Sequence, residues 1–125
     1  DIGSIYYPSW AINNITDMEI GEGYYVKMMS AETLEIEGKV IIPELTPLDL
    51  PQGWSLIGYI RQSFAPIGQM LNSISGSLIL VKNEAGFVYW PAYSIDELGN
   101  LYPGKGYLIK LTNGDILTYP SNNTN

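Results

Sequence analysis

The sequence predicts a mainly β fold with one short α-helix, an α+β chain of sandwich- or barrel-like form. Three observations predict it. Short apolar runs, several with period-2 alternation, recur along the chain between Gly/Pro-rich turns. Only one stretch carries helical spacing. The chain also repeats itself at an offset of 83 residues.

The repeat organises everything else. Residues 1–37 fall on residues 84–120 without a gap, and Gly3, Tyr6, Pro8 and Ile12 meet Gly86, Tyr89, Pro91 and Ile95. Further on, Gly21, Gly23, Tyr24, Lys27 and Leu34 meet Gly104, Gly106, Tyr107, Lys110 and Leu117. These are nine identities in 37 positions, where composition alone gives roughly two or three. Conservative pairs fill the gaps: Ile5 with Val88, Tyr7 with Trp90, Trp10 with Tyr93, Val26 with Ile109. The first copy opens in the turn equivalent to Glu84–Gly86, with no counterpart of Gly53–Asn83 before it. The first residue is Asp1 rather than Met, and no charged segment followed by an apolar one opens the chain. These features lead us to expect a piece of a larger multidomain protein, or a half unit completed by a partner chain. The expected organisation is a truncated first repeat over 1–46 made of strands only. A complete second repeat over 47–125 would pack with it as one compact unit.

In the first copy, Tyr24, Val26 and Met28 alternate with Lys27, which predicts a strand with one face inward. Thr33–Glu37 is read as the last strand of that copy and Lys39–Pro43 as a further one. In the complete unit, Trp54–Ile60 is a short apolar run that suits a buried strand. Ile67, Met70, Leu71 and Ile74 stand at i, i+3, i+4 and i+7, which predicts a helix over about 66–75. Pro66 suits its first turn and Gly76 the position just past its end. Ser77–Val81 is the next strand, and Asn83–Gly86 turns the chain into Phe87–Trp90. Pro91 ends that strand, because it has no N–H to give to a ladder. A loop through Asp96–Leu101 reaches Pro103-Gly104-Lys105-Gly106, after which Tyr107, Ile109 and Leu111 point inward and Lys110 outward. Asn113-Gly114-Asp115 then makes a tight hairpin turn into Ile116–Tyr119.

Composition narrows the chemistry. The 125 residues contain no histidine and no cysteine. This removes the usual neutral-pH acid/base, Ser-His and Cys-His dyads, disulfides and thiolate metal sites. Thirteen acids against six bases leave a net charge of −7, a field that repels nucleic acid. Eight of those acids lie within residues 1–46, beside two lysines. No apolar run reaches the ~18 residues that suggest a membrane span, so membrane insertion is not expected.

The candidate sites each have a plainer reading. Gly21-Glu22-Gly23 and Gly104-Lys105-Gly106 look like phosphate-cradling loops, but each is expected to feed a strand rather than a helix. They read better as turns, with glycines serving backbone angles that side chains forbid. Asp17, Glu19 and Glu22 offer oxygen ligands suited to Ca²⁺. Their spacing fits no EF-hand, and their counterparts Asn100, Tyr102 and Lys105 would not hold a cation, so no cofactor is expected. The adjacent carboxylates Asp96 and Glu97 resemble the pairs that cleave glycosidic bonds, but their echo is Asn13-Asn14. No catalytic residue is assigned, and the chain is not expected to be an enzyme. The aromatic set, three Trp and ten Tyr, is the best functional hint. Tyr7, Trp10, Trp90 and Tyr93 flank the Tyr-Pro and Trp-Pro turns, where exposed rings could contact a polysaccharide or a partner. The plainer expectation is that these rings fill a β core and seal the joint between copies. Asn14-Ile15-Thr16 and Asn122-Asn123-Thr124 match glycosylation sequons.

Four motifs in fixed order carry a family resemblance: Gly53-Trp54-Ser55-Leu56-Ile57-Gly58-Tyr59, Val81–Pro91, Leu101–Tyr107 and Leu117–Pro120. Together they resemble a "GW-x-IGY … VK-x-x-x-G-x-x-YWP … PG-x-GY" module of large secreted and cell-surface proteins of the Bacteroidetes, also seen in marine phage and giant-virus surface proteins. The resemblance covers residues 43–120, with residues 3–37 as an echo. Ile20 stands where Pro103 does, and Thr16 where Gly99 does. The resemblance implies a non-enzymatic accessory part of proteins exported by type IX secretion, with no catalytic residue to carry over. The expected role is an extracellular structural or adhesion module contacting neighbouring domains or subunits. A carbohydrate-binding module using exposed Trp and Tyr is one alternative, and a virion or filament subunit is another.

Overall fold

A computed structural model describes residues 3–123. Its elements in chain order are β1 (Tyr6–Tyr7), β2 (Ile12–Asn13), β3 (Leu48–Leu50), β4 (Gly53–Gly58), β5 (Ala65–Pro66) and α1 (Ile67–Met70). Then come β6 (Leu78–Lys82), β7 (Val88–Trp90), β8 (Ile95–Asp96), β9 (Asn100–Leu101), β10 (Gly106–Leu111) and β11 (Asp115–Leu117). Short 3₁₀ turns lie at Pro8–Trp10, Pro43–Leu45, Asn72–Ile74 and Pro91–Tyr93. The fold is mainly β with one short helix and a sandwich-like arrangement of antiparallel sheets. No closed barrel forms among the described residues.

The main sheet has five antiparallel strands in the order β4-β10-β6-β7-β8. β10 is clamped on both sides, and its alternation sends Tyr107, Ile109 and Leu111 into the core as the sequence predicts. Against that face pack Ile67, Met70, Leu71 and Ile74, all fully buried, together with Leu117 and Tyr119. Removing each such side chain from water contributes about 1.5–3 kcal/mol, so the core of the complete unit is the energetic centre of the chain.

The helix is shorter than its spacing predicts. The α turn stops at Met70, Leu71 departs to φ −101°, and a 3₁₀ turn continues the buried face. Asn72, Ser73 and Ser75 are weak helix formers. The Ser73 hydroxyl accepts from the Thr118 N–H at 3.0 Å and lies 3.3 Å from the Thr118 carbonyl, which it reaches as donor. Residues 113–115 do turn the chain, but β11 does not form a hairpin with β10; it pairs with β3 in a separate two-stranded sheet. The crossing lets Leu111 and Leu117 face one core from two layers. The loop after Pro91 is also more ordered than expected, since Ile95–Asp96 pairs with β7 and Asn100–Leu101 with β5.

The 83-residue repeat is written in the backbone. The left-handed residues Gly3, Ala11, Thr16 and Gly21 (φ 107°, 55°, 64° and 84°) match Gly86, Ser94, Gly99 and Gly104 (φ 87°, 54°, 70° and 78°). Asn13 Oδ1 accepts from Thr16 N–H at 2.7 Å, and Asp96 Oδ1 accepts from Gly99 N–H at 2.7 Å. Tyr24 and Tyr107 hydroxyls each accept a backbone N–H, from Glu19 and Tyr102, at 2.9 Å. Thr16 therefore takes the angle its glycine counterpart takes, and the substitutions leave the turn geometry unchanged.

Beyond Gly23 the copies part. No strand forms over residues 24–42, so the strands expected at Tyr24–Met28, Thr33–Glu37 and Lys39–Pro43 are not made. The physical reason is pairing: β10 has β4 and β6 beside it, while residues 24–28 have no ladder on either side. A strand exists only through its neighbours. The expectation of strands only over 1–46 is corrected as well, since Pro8–Trp10 and Pro43–Leu45 form 3₁₀ turns.

What joins the copies is the turn at Gly21–Gly23, laid on the outer edge of β4. Gly23 N–H donates to Leu56 O at 3.0 Å, Gly58 N–H to Gly21 O at 2.8 Å, and Glu22 bridges Ile57. Gly21 needs its positive φ, as expected. At Gly23 the need is space, because a Cβ there would lie 2.9 Å from Ile57 O. Unlike Gly104–Gly106, this turn feeds no strand.

Burial gives the fold a pH limit. Tyr119 is wholly buried, donates to Gly58 O at 3.1 Å, and has its hydroxyl pushed well above the usual tyrosine range by desolvation. Desolvation raises Tyr107 in the same direction. Both stay protonated in the folded chain after the unfolded chain begins to ionise near pH ~10. Stability is thus full below that pH and falls above it, by about 1.4 kcal/mol per pH unit for Tyr119, with Tyr107 adding in the same direction. Tyr119→Phe should flatten this alkaline decline. Urea midpoints from about pH 9 to about pH 11.5 check it, and an unchanged slope in the variant would refute the assignment.

Candidate functional site

The feature repeated most faithfully is a ring-bearing turn. Tyr7 and Trp90 end their strands at φ −129° and −131°, and Pro8 and Pro91 then open 3₁₀ turns. Proline suits that position, because its fixed φ matches the turn and its missing N–H would have had no partner there. Ala11 and Ser94 close the turns with left-handed angles, each donating N–H to its proline's carbonyl at 3.1 Å. β2 and β8 then return antiparallel, pairing Tyr7 with Ile12 and Trp90 with Ile95.

A 3₁₀ turn has three residues per turn, so residues three apart stand one above the other. Tyr7 therefore meets Trp10, and Trp90 meets Tyr93. Both ring pairs have centroids 4.7 Å apart, the first stacked at 21° and the second edge-on at 83°. Trp10 is 70% exposed and Tyr93 66%, with Tyr7 exposed and Trp90 half-buried. These rings do not fill the core. The structure thus brings the four candidate residues together as two pairs, one on each copy.

The other candidates have different places. Asp17, Glu19 and Glu22 line a groove of about 520 Å³ between the first copy and β4, where Asp49 joins them. Among the described residues, no group of three or more acids is positioned to hold a metal ion. Asp96 and Glu97 carboxylates hold the backbone: Asp96 Oδ1 accepts from Leu98 and Gly99, and Glu97 Oε1 from Val88. Lys105 of the second glycine turn lies 3.2 Å from Glu84. The Glu84 carboxyl is held below its ordinary range, first by a backbone hydrogen bond and then by Lys105. Of the two sequons, Asn14-Ile15-Thr16 sits on the exposed surface, and Thr124 of the other lies outside the described residues.

Compared with family models, curated proteins and solved structures, the chain matches none. No helix among the described residues is long and apolar enough to cross a membrane.

One surface group escaped sequence reasoning. Trp54 is 40% exposed, with Lys82 and Lys110 Nζ each 5.5 Å from its ring centroid. Lys110 is directly opposite Trp54 in the β10–β4 register, and such contacts contribute about 0.5–1 kcal/mol at exposed sites. The outward phase of Lys110 was legible, but the register that brings three separate strands to one ring was not.

Proposed function

We propose that this chain is a non-catalytic structural and adhesive module of an extracellular or cell-surface protein. The observation that supports this most is the duplicated ring-bearing turn: matched backbone angles present Tyr7/Trp10 and Trp90/Tyr93 at the surface of both copies. Rigid amphipathic rings add contact area at low entropic cost, and two presentations allow divalent attachment. The resemblance of residues 43–120 to modules of secreted Bacteroidetes proteins points the same way.

The second reading is a carbohydrate-binding module, favoured by the exposure of Trp10 and Tyr93. Flat exposed rings stack on the apolar faces of sugar rings.

Affinity electrophoresis on neutral and acidic polysaccharides, with retention on surface-coated beads alongside, separates the two. Trp10→Ala with Tyr93→Ala should lower retention at least about tenfold, while leaving Tm within a few degrees because both rings are exposed. Retention on polysaccharide favours the second reading, and retention only on proteinaceous or cell surfaces favours the first. Equal retention of the native chain and the double variant on every surface would remove both.

A further inference from the structure

The first copy keeps the core-facing residues of the complete unit without having a core. In the second copy, Leu101, Tyr107, Ile109, Leu111, Leu117 and Tyr119 are buried. Their counterparts 83 residues earlier are Met18, Tyr24, Val26, Met28, Leu34 and Ile36, every one apolar or aromatic. Yet Met18, Val26, Met28, Leu34 and Ile36 are 56 to 75% exposed. Tyr6 repeats the contrast. Its counterpart Tyr89 packs on the core, with its hydroxyl beside Gly68 of α1, whereas Tyr6 lies in the open. Apolar side chains exposed in the phase that a buried strand would need mark a place where another surface fits.

The second copy shows what fits there. Tyr107, Ile109 and Leu111 are covered by the strand–helix–strand half of the unit, with β4 and β6 flanking β10 and α1 beneath. We propose that residues 18–36 of the first copy are a docking surface for that same half unit, a segment of the Gly53–Asn83 type. Such a segment would pair its two strands with residues 24–28 and lay its helix over Val26 and Met28. Charge agrees with geometry. Gly53–Asn83 carries no acid, so it sets no like charge against the seven acids of residues 1–42. A second intact copy of this chain is a poorer occupant, because its β4 is already held by β10 and by Gly21–Gly23. This proposal names a partner for the adhesive module, but it stands on the repeat; the polysaccharide and bead measurements can fail without touching it.

The offset supplies the test. Residues 43–83 fused directly before Asp1 continue the repeat in phase, since residue 84 is the counterpart of residue 1. Amide hydrogen exchange of residues 24–34 is then compared in the native and the extended chain, with residues 106–111 as the internal reference. Extension should slow exchange over 24–34 by on the order of 100-fold, and Val26→Asp with Met28→Asp should abolish that gain while 106–111 stay protected. Fast exchange over 24–34 in the extended chain would overturn the proposal. So would loss of protection at 106–111 on extension, which would mean that the added half displaces its twin rather than serving the first copy. Protection of 24–34 in the unextended chain that grows with concentration would also overturn it, in favour of self-association.

Discussion

Arg61→Leu is expected to lower folding stability by about 1–3 kcal/mol, and Tm by roughly 4–12 °C. Arg61 follows β4 and is 2% exposed. Its Nε and one terminal nitrogen donate to Ser121 O at 3.2 and 2.8 Å, and the other terminal nitrogen reaches Tyr59 Oη at 3.1 Å and Met70 Sδ at 3.2 Å. One guanidinium thus ties the end of β4 to the C-terminal segment 60 positions away and to the helix. The neighbouring bond from Gln62 N–H to Asn122 Oδ1 at 2.9 Å depends on the same docking. Leucine returns the apolar volume but leaves the Ser121 carbonyl without its charged donors. Lysine would not restore the fork, since it lacks the planar arrangement that meets one carbonyl with two N–H groups. Thermal unfolding followed by near-UV circular dichroism of the tyrosines is the check. A Tm drop under about 3 °C would show that the buried guanidinium is incidental.

How much of this was legible in the sequence depends on how far each feature reaches. Local periodicity was readable. Ile67, Met70, Leu71 and Ile74 are buried as their spacing predicts, and so are Tyr107, Ile109 and Leu111. The switch from α to 3₁₀ after Met70 was not, because Ser73 is fixed by Thr118, 45 positions away. The repeat itself was legible, including the kinship of the Pro8 and Pro91 turns. The exposure of their rings was not, since sequence shows that Tyr7 and Trp10 can meet but not which side of the sheet they face. Glycine was half legible: a positive φ at Gly21 follows from turn chemistry, while the close approach of Gly23 to Ile57 is a property of the joint. The strands expected in the first copy failed for the most general reason. Alternation specifies which face of a strand would be buried, and a strand forms only where a second chain segment offers hydrogen bonds.

That last point sets up the sharpest contrast the molecule offers, Ile109→Ala against Val26→Ala. The two positions are equivalent in the repeat, carry β-branched side chains, and follow Tyr107 and Tyr24, whose hydroxyls make matching bonds. Sequence alone assigns both to the inward face of a strand. Ile109 is wholly buried between β4 and β6, so truncation leaves a cavity and should cost about 2–5 kcal/mol. Val26 is 67% exposed and has no ladder, so the same truncation should change stability by less than about 0.5 kcal/mol. Urea unfolding of the two variants, with m-values compared, measures the difference directly. A loss above about 1 kcal/mol at Val26 would mean that the first copy buries this residue in solution. The placement of residues 24–28 in the open would then be wrong. A small loss there beside a large one at Ile109 fixes where the folding energy resides: in the unit whose central strand has both neighbours.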